Sequence, residues 1–197
     1  MKRLVAIVVL TVALAGYGGA LAAEQGQAPK QSGPAKHPTV ELSELLDAVA
    51  RKSGKEFLID LRAPEEVVVG TIDIRDVDYG HLLTVLRNNG LAAAGSSKAV
   101  RIVPVAVIRQ YELPTLRDNN DAIHEDEWVT RLLEPRNAVA PRLVALLRPL
   151  VPQAGHLFAE ADSNLLIVVA PYGVTQQLVD VVNEIDQRID SPQASTQ

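Results

Sequence analysis

The chain has 197 residues, of which 47% are hydrophobic and 22% charged, and a formal net charge of −5. That balance is globular rather than disordered, and its acidity excludes the basic footprint that a nucleic-acid phosphate backbone requires. The chain has no Cys, which excludes thiol catalysis, cysteine metal sites and disulfide stapling.

The N-terminus carries Lys2 and Arg3, an apolar run from Leu4 to Ala15, and small residues at Ala20 and Ala22 ahead of the first acid, Glu24. This pattern predicts a secretory signal peptide over residues 1–22. The alternative is an N-terminal inner-membrane anchor, because Leu4 to Ala23 is long enough to span a bilayer. Tyr17 stands where a lipidated Cys would have to be, so no lipid anchor is expected there. Loss of residues 1–22 removes Lys2 and Arg3 and no acid, which moves the net charge from −5 to −7. An exported, acidic chain without cysteine is expected in a bacterial periplasm. Residues 23–37, which include Gly26, Pro29, Gly33 and Pro34, read as a flexible tether.

A first domain is predicted over residues 38–110. A short strand at Thr39-Val40 leads into a helix with Leu42, Leu45, Leu46 and Val49 at helical spacing, closed by Gly54. "KEFLID" (Lys55 to Asp60) and "VVVGTIDI" (Val67 to Ile74) are short, apolar and β-branched, and read as strands. Asp78 is placed to cap a second helix with the stripe Tyr79, Leu82, Leu83 and Leu86. "LAAA" and "AVRIVPV" then flank Gly95 to Lys98 as a hairpin.

Residues 111–124, inside the aperiodic stretch Gln110 to Glu125, are expected to form a linker. A second domain is predicted over residues 125–191, followed by a tail at 192–197. It opens with "EWVTRLLEP" as a strand and continues in a helix from about Ala138 to Leu150 with Leu143, Leu147 and Leu150 inward. "HLFAEA" and "LLIVVA" form a hairpin around Ser163-Asn164, and a last helix carries Val174, Leu178, Val181, Val182 and Ile185. The fold class is α+β, with two small two-layer α/β sandwiches in tandem: βαββαββ, then a KH-like βαββα.

No motif offers catalytic chemistry. The four His are dispersed at His37, His81, His124 and His156. His124-Glu125-Asp126-Glu127 is dense in ligand types but lacks metal-site spacing, and reads as a solvated, charged linker edge. Asp60, Asp73, Asp76 and Asp78 lie close in sequence. They could in principle supply an acid/base pair, but three have a structural account: Asp60 ends a strand, Asp73 faces outward from one, and Asp78 caps a helix. The KH-type reading of βαββα needs a G-x-x-G loop for RNA, and residues 23–197 contain none. No enzyme activity, cofactor, metal or small-molecule substrate is expected.

With the units placed, the chain resembles the N-terminal periplasmic region of secretins, the outer-membrane rings of type II secretion systems and type IV pili. The first unit is similar to the N-zero domain through "GKEFLID", "LLTVLRNNGLAA" and "VRIVP". The second is similar to the N-one domain through "LLRPLV", "SNLLIV" and "VNEID". No secretin barrel is expected within residues 1–197. The resemblance implies a protein-protein interaction subunit whose partners are a secretin, the inner-membrane clamp protein of a secretion machine, or a second copy of itself. Strand addition at a sheet edge is the expected mode, with Val40, Val67, Val69 and Thr71 as candidate interface residues. The first unit's fold also serves TonB-dependent transducers, so a periplasmic signalling module is the alternative.

Overall fold

A computed structural model describes residues 38–95, 99–119 and 122–190. The signal peptide, tether and tail expected from the sequence, with His37 and most of the Gly95 to Lys98 turn, lie outside these residues.

The first half runs β1 (Thr39–Glu41), α1 (Leu42–Ser53), β2 (Glu56–Ile59), β3 (Glu66–Val68), α2 (Tyr79–Asn88), β4 (Leu91–Ala94) and β5 (Ala99–Pro104). β1 and β3 form an antiparallel pair, while β2, β5 and β4 form a three-stranded sheet in that order. α1 buries Leu42, Leu45, Leu46 and Val49, each no more than 3% exposed. Its end is set by Gly54 at φ +66, a left-handed conformation that costs a glycine nothing, and Gly54 N–H donates to Ala50 O. α2 starts where the Asp78 carboxylate accepts from His81 N–H at 2.8 Å, and it buries Leu82, Leu83, Val85 and Leu86. These faces meet Val67, Val69, Val100 and Ile102 in one core.

The strand expected over Val67 to Ile74 is cut short. Gly70 turns the chain at φ +69, and Asp73 accepts from Arg75 N–H at 2.9 Å to start a 3-10 turn over Ile74–Asp76. Asp73 is therefore a cap and not an outward strand residue, and Thr71 lies off the strand.

The second half runs β6 (Thr115–Leu116), β7 (Trp128–Leu133), α3 (Ala140–Leu147), β8 (His156–Glu160), β9 (Leu165–Pro171) and α4 (Tyr172–Asp190). Its sheet has the order β6-β7-β9-β8, backed by α3 and α4 around Leu143, Leu147, Leu166, Val168 and Leu178. β6, which falls inside the stretch read as a linker, pairs in parallel with β7. Two residues are too few to leave a period in the sequence. The helix expected to reach Leu150 ends at Leu147 and tightens into a 3-10 turn over Arg148–Leu150. Pro149 has no N–H to continue the α-helical ladder. Leu150 consequently swings to 37% exposure and Val151, at 7%, takes the inward place.

The halves share apolar packing. A third apolar cluster joins them: Ala92, Ala94, Val103 and Ile108 from the first half pack with Trp128 of the second, and Val169 and Ala154 lean on it. Ile108 is fully buried and Trp128 only 5% exposed, and burying side chains of this size is worth about 1.5–3 kcal/mol each.

Candidate partner interface

The β1–β3 pair sets which backbone groups reach a partner. Val69 N–H donates to Pro38 O at 3.1 Å and Leu42 N–H to Glu65 O at 2.8 Å, with Val40 opposite Val67. Peptide groups alternate sides along a strand, so those of Val68 point away from β1 and those of Thr39 and Glu41 point away from β3. The two outer edges differ. Val68 N–H donates to Asn89 Oδ1 at 2.8 Å, and Asn89 Nδ2 donates back to Val68 O at 2.9 Å. The amide thus stands where a further strand would. No described strand pairs with the outer edge of β1, although Glu41 is also the N-cap of α1, so its C=O belongs to the first turn of that helix.

Of the four candidate interface residues, Val67 and Val69 are core, at 1% and 6% exposure. Val40 packs against that core half-buried, and only Thr71 is exposed. A contact along this pair therefore runs through the β1 backbone and the side chains of Thr39, Glu41 and Val68, none of which the sequence singled out.

A second edge is open at β2. Asp60 N–H donates to Ile102 O at 2.9 Å, so the peptide groups of Phe57 and Ile59 face outward from the sheet. Leu58, Ile59 and Leu61 are exposed. The nearby charge is internally engaged: the Asp60 carboxylate accepts from Arg62 Nε at 2.8 Å, Arg62 Nη2 at 2.9 Å and Tyr111 Oη at 2.7 Å. The Arg62 guanidinium, first among these, holds the Asp60 carboxyl well below the usual carboxylate range.

The junction of the halves holds the segment His124 to Glu127, where His124 and Glu125 are exposed, as the charge suggests, but Asp126 and Glu127 are partly buried. Asp126 is 9% exposed and accepts from Arg87 Nη1 at 2.7 Å and from Thr84 Oγ1 at 2.9 Å, both on α2. Gly80 allows this approach, because a Cβ there would lie 2.5 Å from His124 Nε2. Asp126 N–H donates to His124 Nδ1 at 3.3 Å. Glu127 is partly buried, and its burial pushes its carboxyl up. Lys55 Nζ sits 4.6 Å from the centre of the Tyr79 ring beside it.

The other histidines of the described residues lie outside this segment. His81 Nδ1 lies 2.9 Å from Asp78 Oδ1 on the exposed first turn of α2, and His156 is exposed on β8. Among the described residues no three His, Asp or Glu are grouped to hold a metal. Nor is any described helix long and apolar enough to cross a membrane.

No family model matches the chain. Secretin XcpQ of Pseudomonas aeruginosa is 28% identical over 151 residues, 75% of this chain. Its relatives are secretins. Secretin ExeD of Aeromonas hydrophila is likewise 28% identical, over 163 residues and 78% of the chain. The chain spans 22% and 23% of the length of these two relatives. Among solved structures, the type II secretion outer-membrane complex of Klebsiella pneumoniae, with PulD, PulS and the PulC HR domain, matches in fold. Its TM-score is 0.62 at 23% identity, over 78% of this chain and 26% of that one. The tandem α/β fold expected from the sequence is the fold observed, and the resemblance to secretins is shown by the sequences themselves.

Proposed function

We propose that this chain is a non-enzymatic periplasmic interaction subunit, accessory to a type II secretion or type IV pilus machine. Similarity to secretins over three quarters of its length carries the reading. In it, residues 38–110 act as an N-zero-like domain and 125–191 as an N-one-like domain, joined at 111–124. The outer edge of β1 is the proposed docking strand. Thr39 offers its N–H and C=O and Glu41 its N–H to a partner strand, Val40, Val67 and Val69 hold the pair from the core side, and Thr71 borders it. The complex of like fold holds a PulC HR domain beside PulD and PulS, which supports a second protein of the secretion machine as a partner, and the inner-membrane clamp protein is the one proposed for that edge. A secretin, or another copy of this chain, is the partner of the rest.

In-cell crosslinking and pull-down of the tagged protein from the periplasm tests this, with partners identified by mass spectrometry. Recovery of a secretin or clamp protein is expected, and Val40→Pro, which distorts β1 and removes an N–H, should abolish the clamp contact. Recovery of a TonB-dependent transducer instead would transfer the protein to a signalling role, and recovery of neither would end the secretion reading.

A further inference from the structure

Where the halves meet, the surface opens into a groove of about 590 Å³. Val105 and Ala106 of the first half and Ala154 of the second give it apolar walls over a floor of buried Trp128, and its charged lining residues are both arginines, Arg87 and Arg109. We propose that this groove is a second docking site, which takes a linear segment of a partner protein presenting a carboxylate beside an apolar side chain.

Charge and shape both select that occupant. The chain is acidic overall, yet no carboxylate is among the described residues that line this groove. Arg87 is pinned by Asp126 through one Nη at 2.7 Å, and a guanidinium has five N–H donors, so the ion pair orients Arg87 without exhausting it. Arg109 is exposed and makes no ion pair with any described residue. An arginine fork binds a carboxylate through two parallel hydrogen bonds. The apolar wall lowers the local dielectric and strengthens that contact. A bare inorganic anion would leave the wall wet, and a purely apolar segment would leave Arg109 unused. The floor is preformed, since Trp128 and Leu91 are packed to 5% and 3% exposure, so little ordering opposes binding. This inference does not rest on the β1 edge or on a secretin partner.

Trp128 is the chain's one tryptophan, so its fluorescence reports the groove directly. The purified full chain is titrated with a short peptide of alternating aspartate and leucine. A saturable change in emission is expected, weakened about tenfold or more by Arg109→Glu. Ala106→Phe, which fills the groove and keeps both arginines, should weaken it equally, with circular dichroism unchanged in each variant. The proposal is overturned by no response up to about 1 mM peptide, by equal binding to Arg109→Glu, or by an equal response to alternating aspartate and serine. Concentration-dependent dimerisation that Ala106→Phe abolishes would also overturn it, because a second copy would then be the occupant. A pull-down can succeed while this titration fails, so the two readings fall separately.

Discussion

Asn89 holds the peptide group of Val68 on both sides, accepting its N–H at 2.8 Å and donating to its C=O at 2.9 Å. The same Nδ2 also donates to Val85 O at 2.8 Å, which ties β3 to the last turn of α2. This side chain makes the two edges of the β1–β3 pair unequal, with β3 closed and β1 open.

Asn89→Ala is accordingly expected to cost about 1–2 kcal/mol, since three modest hydrogen bonds go and partly solvated groups are left behind. Urea unfolding measures it. The variant should also self-associate more, because a second unpaired edge is exposed, and sedimentation velocity reads that. A variant as stable and as monomeric as the parent would show that the amide does not hold the edge.

The Asp126 contacts with Arg87 and Thr84 make a different prediction, because they join halves rather than strands. Asp126→Ala should destabilise by about 1–2 kcal/mol and sharply raise hydrogen exchange at the junction. The double-mutant cycle with Arg87→Ala should give a coupling of roughly 0.5–1 kcal/mol, at the upper end for an ion pair with one exposed partner. Zero coupling would place the whole effect on Thr84 and on the packing around Trp128.

The fold was legible because its signals repeat: the Leu42, Leu45, Leu46, Val49 stripe and the Leu178, Val182 face each lie buried where helical spacing puts them. Asp78 announced the start of α2 by its own chemistry. What escaped detection rests on single side chains meeting distant backbone. Asn89 lies 21 residues from Val68, and nothing in "RNNG" distinguishes it from its neighbour Asn88. The density of charge in His124 to Glu127 was visible, but the partner that buries Asp126 lies 39 residues away on α2. β6 is too short to show a period, and Leu150 was misplaced because Pro149 changes the helix type partway through the stripe.

Asn164 supplies a third test, in the "SNLLIV" step. It sits at φ +52, its Oδ1 accepts from Ala140 N–H at 2.8 Å, and its Nδ2 donates to Pro135 O at 2.8 Å and Ala138 O at 3.0 Å. The turn between β8 and β9 thereby fixes the start of α3. Asn164→Ala should cost about 2–3 kcal/mol, from the lost bonds and a strained positive φ together. Asn164→Gly relieves the strain but not the loss, so it should recover only part of the stability. Full recovery in the glycine variant would assign the position to backbone conformation alone.

The pH dependence of stability should trace in part to Asp186 on α4. Its carboxylate accepts from the N–H groups of Arg136 at 2.8 Å, Asn137 at 2.8 Å and Ala138 at 2.6 Å, which anchors the loop ahead of α3. Desolvation is the largest single influence and pushes the carboxyl up, but the three donors together outweigh it and leave it below its ordinary value of 3.8. A carboxyl depressed in the folded state binds its proton more readily when unfolded. Its stabilisation is therefore present above pH 3.8 and is lost as the pH falls through the lower folded value. Asp78 and Glu160 are depressed as well and act with the same sign, so acid weakens the fold at several places. Urea unfolding free energies measured from pH 7 downward should fall less steeply in Asp186→Asn than in the parent, with the two curves converging at the acid end. Parallel curves would mean that Asp186 contributes no proton linkage and that the acid response belongs to the other carboxylates.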